Sequence, residues 1–381
     1  MRSTNLERKA ISTSLLATDK PMNTFKILTR QAVPGMVVSE DVYTKDLNLI
    51  IAKDTVLTDK IITRLEFYSV TDFSVYSDEV TIEQEAEYME NTFYRKIKKS
   101  EAFKRFRKAY QNTVNQLKDT INDFTIKQKE IDSEQLLYDV SKILYESNTN
   151  IEVFNMLHCM REFDDATYVH SLNVALICNI MGRWLGFMPD DLEVITLSGL
   201  LHDLGKLLIP NNIISKPSKL TDKEFSLIKT HTTRGYNVLK NKSVDKRIMS
   251  VALMHHERCD GSGYPNGLMS HEIDSYAKLV AIADVYDAMT CARVYRGPLC
   301  PFEVITLFED EGYLKYDTKF LLTFMEGIVE TYIHNNVRLN NNMEGEIVLI
   351  NKNELSRPVI MVEDQFIDLT KHRDLYIESL V

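Results

Sequence analysis

The chain has 381 residues, 44% of them hydrophobic, and a formal net charge of −10. That is enough apolar material for two or three buried cores, while no run approaches the ~18 consecutive apolar residues of a membrane span. The acidic balance argues against a nucleic-acid polymer as partner and leaves room for a small anion held by a local cluster.

Residues 1–24 are polar and Ser/Thr-rich without an apolar core, and read as a flexible tail rather than a secretory leader. The five cysteines (Cys159, Cys178, Cys259, Cys291 and Cys300) form no CxxC pair and are odd in number, as expected of a reduced, cytoplasmic chain. Residues 25–80 alternate β-like runs (MVVSEDVY, LNLIIAK, FSVY) with one helical stretch starting near Thr58, a capping residue ahead of KIITRLEFY, which predicts a small α+β module.

Residues 81–131 form a charged helical linker. Its apolar positions Phe103, Phe106, Tyr110, Val114, Leu117, Ile121 and Phe124 step by threes and fours, as a helix seam does. Such a seam over 101–127 either pairs two chains into a homodimer or packs within one. Lys98, Lys99, Lys104, Arg105, Arg107 and Lys108 read as the solvated face of the same helix. Residues 132–335 are helical in period, with a capping box at Thr221 and Glu224 and a first-turn proline at Pro189. Residues 336–381 return to short alternating runs (GEIVLI, RPVIMV), a β-rich C-terminal extension. The expected fold is mainly α.

All nine histidines lie after residue 157, and seven fall between 158 and 271. Five of them sit with two aspartates on apolar helices: His170 in one, His202 and Asp203 at the end of LEVITLSGLLHDLGKLLIP, His231 in LIKTHTTRGY, His255 and His256 closing a fourth, and Asp284 in KLVAIADVYDAM. A buried aspartate with no cation is costly. Five imidazoles and two carboxylates exceed what one tetrahedral ion needs. With a bridging carboxylate they suit two octahedral ions, and the mixed N/O set favours iron or manganese. His158 reads as a packed residue; His271, His334 and His372 read as surface residues.

Taken together, HS at 170–171, HDLGK at 202–206, His231, HHERCDGSGYP at 255–265 and ADVYDAMTCARVYR at 283–296 resemble the HD-GYP subgroup of the HD phosphohydrolases, bacterial phosphodiesterases of cyclic di-GMP. The resemblance covers about 140–335 and implies an all-helical HD-type bundle at 132–335 that hydrolyses cyclic di-GMP by a metal-bridging hydroxide. It implies that His170, His202, Asp203 and Asp284 hold one metal, and that Asp203 bridges to a second on His231, His255 and His256. Asp203 and Lys206 would be catalytic, and Lys206, Arg293 and Arg296 would reach substrate phosphate. Tyr264 would line the pocket and donate a hydrogen bond, on a turn that Gly261 and Gly263 allow. Glu257 and Asp260 would orient the histidines or fix that turn.

The alternatives within reach of the same residues are an HD hydrolase of another cyclic dinucleotide or guanine nucleotide, and a non-catalytic module that binds the messenger or a diguanylate cyclase or other regulatory partner. Relatives with three metals carry a glutamate four residues before the first histidine. Here that position is Ala166, so two ions are expected. The usual Tyr-Pro-Gly entry to the C-terminal extension is replaced by Tyr332–Asn336.

Overall fold

The computed structural model describes residues 24–381 apart from 30, 31, 33, 44–48, 59, 60, 63, 66, 67, 69, 71, 77–91, 128, 148, 161–165, 215–220, 241 and 291–299. The strands of the N-terminal module are β1 (Thr24–Leu28), β2 (Val42–Tyr43), β3 (Leu49–Ile51) and β4 (Asp72–Tyr76). β1 pairs antiparallel with β4, and β2 with β3. The module has its own small core, in which Val38, Leu57, Ile62, Leu65, Phe73 and Val75 are buried. Thr58 Oγ accepts the Ile61 N–H at 3.3 Å, the capping role its position suggests.

Next come α1 (Thr92–Lys99), α2 (Glu101–Lys127), α3 (Ser133–Tyr145), α4 (Asn150–Cys159), α5 (Ala166–Trp184) and α6 (Pro189–Leu201). A 3-10 segment, Leu204–Leu208, leads to α7 (Asn211–Ile214), α8 (Asp222–Lys229), α9 (His231–Leu239) and α10 (Lys246–Met254). The bundle closes with α11 (Ser275–Thr290), α12 (Pro301–Lys315) and α13 (Thr318–Glu330). The Thr221–Glu224 capping box forms at the start of α8, and Pro189 occupies the first turn of α6. α5 and α11 are buried on nearly every face (Leu172, Val174, Leu176, Ile177 and Ile180; Leu279, Val280, Ile282 and Ala283), as helices apolar all round must be. Asn173 on α5 and Asp284 and Asp287 on α11 are therefore buried polar groups.

The seam of α2 corrects the dimer expectation. Phe103, Phe106, Tyr110, Val114, Leu117, Ile121 and Phe124 are all buried within one chain and belong to the same core as α3–α6 and α11–α13. An interface between copies needs an exposed stripe, and this one is spent on the chain's own bundle.

A five-stranded antiparallel sheet follows, from β5 (Asn336–Leu339), β6 (Glu344–Leu349), β7 (Val359–Val362), β8 (Gln365–Asp368) and β9 (Ile377–Leu380), in the order β8-β7-β6-β5-β9. Val337, Leu339, Ile347, Ile360 and Ile377 extend the bundle core into it. The Glu309 carboxylate on α12 holds the sheet by accepting from the N–H groups of Leu355 and Ser356 and from Ser356 Oγ. On the other side of α12 the N-terminal module docks: Arg64 Nε lies 3.2 Å from Glu311 Oε1, and the Lys315 ammonium sits 3.7 Å from the centre of the Tyr68 ring. Among the described residues no helix is long and apolar enough to cross a membrane.

Candidate metal centre

The C-terminal ends of α6 and α10, the starts of α5 and α9 and the middle of α11 converge on one point. Gly205 explains part of the convergence. A Cβ there would stand 1.8 Å from the His231 carbonyl oxygen, so only glycine lets the HDLGK turn lie directly on the first residue of α9. That contact brings Asp203 to His231.

Asp203 is the centre of the cluster. Its Oδ2 faces His202 Nε2 at 3.3 Å and His170 Nε2 at 3.6 Å, and its Oδ1 faces His231 Nε2 at 3.4 Å and His255 Nε2 at 3.6 Å. One carboxylate thus presents a separate oxygen to each of two nitrogen sets. Ligand atoms of His170, His202 and Asp203 lie within 4.8 Å of one another, as do those of Asp203, His231, His255 and His256. Asp284 closes the ring, with Oδ1 3.0 Å from His170 Nε2 and Oδ2 3.7 Å from His256 Nδ1.

The proton positions follow from the outer contacts. His202, His231 and His255 place Nδ1 at 2.8, 2.7 and 3.0 Å from the carbonyl oxygens of Gly199, Ile228 and Val251. A carbonyl only accepts, so each Nδ1 carries the hydrogen and each Nε2 turns a lone pair inward. Burial drives His231 down to about 3 and lowers His255 and His256, keeping these rings neutral. His231 Nε2 and His255 Nε2 then face each other at 3.3 Å, lone pair to lone pair. His202 Nε2 and Asp203 Oδ1 are buried without a hydrogen-bond partner. Buried acceptors aimed at one another with no donor between them are what a divalent cation would satisfy. The donor set fits such ions, and the cluster could hold them.

The carboxylates are ionised. Burial would raise Asp203, but the Lys206 ammonium beside it holds its carboxyl well below the usual range. Burial would raise Asp284 likewise, but the hydrogen bond from His170 holds it well below the usual range. Burial would lower His170 too, yet hydrogen bonds to Asp284 and Asp287 lift it to about 10, and a cation bound at Nε2 would displace the proton held there while Nδ1–H stays on Asp287.

The site opens on one side. His202, His231, His255 and Asp203 are almost fully enclosed, whereas Lys206, His170 and His256 keep 28%, 19% and 18% of their side chains exposed. Lys206 Nζ donates to Asp203 Oδ2 at this mouth. Tyr264 stacks on His256 with ring centres 4.7 Å apart, and Lys229 Nζ lies 5.2 Å from the centre of the Tyr264 ring. Gly261 has φ +78°, and a Cβ on Gly263 would come within 2.4 Å of the Glu257 Cα, so the loop must turn tightly against the end of α10.

Glu257 and Asp260 fix that turn and touch no histidine ring. Glu257 accepts the N–H groups of Asn266 and Leu268 at 2.7 and 2.9 Å, and Asp260 Oδ1 accepts from the Ser262 N–H and hydroxyl. The carboxylate that does hold a histidine is Asp287, with Oδ2 2.7 Å from His170 Nδ1. Sequence reading missed it, although its spacing of three from Asp284 puts both on one face of α11. Arg293 and Arg296 lie outside the described residues. His158 is buried between Tyr94 and Tyr286, while His271, His334 and His372 are exposed.

Comparison with known proteins places this geometry in a family. Residues 133–320 match the family described as HD domain. The chain is 34% identical over 206 residues to the cyclic di-GMP phosphodiesterase PA4108 of Pseudomonas aeruginosa, covering 53% of this chain and 49% of that protein. It is 37% identical over 164 residues to 3'3'-cGAMP-specific phosphodiesterase 1 of Vibrio cholerae, covering 42% and 38%. A cyclic di-GMP phosphodiesterase of Thermotoga maritima is 32% identical over 209 residues, covering 51% and 56%. The matches thus span roughly half of each of these relatives, or less. Residues 133–320, which carry the whole histidine and aspartate cluster, are thus an HD domain.

Proposed function

We propose that the chain is a phosphodiesterase that opens a cyclic dinucleotide, cyclic di-GMP first, at a two-ion centre made by His170, His202, Asp203 and Asp284 on one side and Asp203, His231, His255 and His256 on the other. The observation that carries this reading is Asp203, whose two oxygens face two separate nitrogen sets. The relatives named as cyclic di-GMP and 3'3'-cGAMP phosphodiesterases support the substrate class.

Iron or manganese suits the mixed nitrogen and oxygen donors, and such ions would supply water of near-neutral acidity and positive charge against the phosphate oxygens. The chain's own groups do the rest. The backbone carbonyls of Gly199, Ile228 and Val251 keep the Nδ1 protons in place, so three imidazoles stay ligands instead of acids. Lys206 holds a full positive charge at the mouth, raised by Asp203 and Asp284 against the effect of burial, where it could meet an incoming phosphodiester. The Tyr264 ring and Lys229 flank the same opening, where a base and its phosphate would lie. In the reaction a water oxygen bonds to phosphorus, the P–O bond to one ribose oxygen breaks, and that oxygen takes the proton, leaving a linear dinucleotide. Arg293 and Arg296 are proposed as further phosphate contacts.

A second specificity is carried by the 37% identity to the 3'3'-cGAMP enzyme. The test is anaerobic loading of the purified protein with Mn²⁺ or Fe²⁺, followed by separate incubation with cyclic di-GMP, 3'3'-cGAMP and a linear dinucleotide. Ring opening of a cyclic dinucleotide, lost in Asp203→Ala, is expected. A metal-loaded protein that leaves every cyclic dinucleotide intact would overturn the reading.

A further inference from the structure

His170 is held differently from its neighbours. Its Nδ1 meets a side chain on another helix, Asp287 on α11, where His202, His231 and His255 use carbonyls within a turn of themselves. Asp287 is itself held. Its Oδ1 accepts from Asn173 Nδ2 at 2.9 Å, and Asn173 Oδ1 accepts from the Tyr110 hydroxyl at 2.6 Å. Tyr110, Asn173 and Asp287 are all buried.

The direction of the chain is forced. A carboxylate can only accept, so Asn173 must turn its amide hydrogens to Asp287 and its carbonyl oxygen to Tyr110. The tyrosine hydroxyl then donates. With Oδ1 occupied, Asp287 offers Oδ2 to His170 Nδ1, which fixes the tautomer and leaves Nε2 facing Asp284 and Asp203. Tyr110 lies on the apolar seam of α2, between Phe106 and Val114, where phenylalanine would pack as well. The hydroxyl donates to Asn173 Oδ1 and lies 3.2 Å from the Val169 carbonyl oxygen.

We propose that Tyr110 and Asn173 are positioning residues for the metal centre, acting through Asp287 on the ring of His170. The proposal rests on reading the cluster as a metal centre. It makes α2, the helix between the N-terminal module and the bundle, part of the ligand-holding frame. A shift of α2 along α5 would therefore be felt at His170.

The experiment titrates metal-free full-length protein with Mn²⁺, followed by calorimetry and by the resonance of free Mn²⁺. Tyr110→Phe keeps the ring and removes one oxygen. Thr113→Val, on the same helix, removes a buried hydrogen bond to the Asp139 carbonyl that has no link to the site. Outer partners of metal-bound histidines typically govern affinity by about 10–100-fold, so Asp287→Asn should fall in that range and Tyr110→Phe should weaken Mn²⁺ by about 3–10-fold. Thr113→Val should lower the melting temperature similarly and leave affinity unchanged. Tyr110→Phe with wild-type Mn²⁺ affinity would overturn the proposal. Should that variant not fold, Asn173→Ser breaks the same chain one link later and is read in the same way. A wild-type chain that takes up no Mn²⁺ would overturn the metal-centre reading along with it.

Discussion

Replacing Asp203 with alanine removes the carboxylate whose two oxygens face His170 and His202 on one side and His231 and His255 on the other, so both ions should leave together and cyclic dinucleotide hydrolysis should fall by more than about 100-fold. Elemental analysis of the variant checks this, and metal retained at the wild-type level would show that Asp203 does not bridge. Glu257 gives a contrasting case. Its buried carboxylate accepts two backbone N–H groups of the GYP loop and no histidine, so Glu257→Gln should cost about 1–3 kcal/mol and loosen the Tyr264 turn without releasing metal. Urea unfolding and metal content, measured side by side, separate the two roles. The five histidines and two aspartates of the cluster were legible because each lies within or at the end of a helical run in the sequence. Asp287 and Asn173 were not, because they lie 117 and three residues from His170 in sequence and what joins them is a packing of α5 on α11.

At the scale of elements, α2 shows where periodicity stops being informative. The spacing of Phe103 to Phe124 gave the apolar face correctly, but a face does not name its partner. The structure buries it against the chain's own bundle, with Tyr110 reaching Asn173 and Thr113 reaching α3. Leu117→Ala should therefore cost about 2–5 kcal/mol, and lysine at Leu117 or Ile121 should prevent folding. Circular dichroism with light scattering decides, since a folded monomer from the lysine variants would restore the seam to an interface. The caps at Thr221 and Pro189 were readable for the opposite reason: a cap is satisfied within one turn and needs no knowledge of the rest of the molecule.

Across the whole molecule, the end of α12 joins three parts. It meets the N-terminal module through Glu311 and Lys315, and the Lys315 carbonyl accepts the Cys259 N–H of the loop that carries Tyr264. Burial draws Lys315 down to about 8, against the pull of Glu311 in the other direction. Between that value and the ordinary lysine range the unfolded chain holds a proton the folded chain lacks, so folding stability from this group rises with pH. Against Lys315→Met, the wild type should gain at most about 2–3 kcal/mol between pH 7 and 10. Denaturation midpoints of both proteins across that window check the sign, and a gap that does not move would place the ammonium in water.

A two-ion centre requires Asp203 to lie between the ions, with no ligand for a third at Ala166. Anomalous diffraction from crystals of the Mn²⁺-loaded protein tests it most directly. Two peaks are expected, one beside Asp203 Oδ2 with His170 and His202, the other beside Oδ1 with His231, His255 and His256. A single peak, a third of equal height, or none within reach of Asp203 would contradict it.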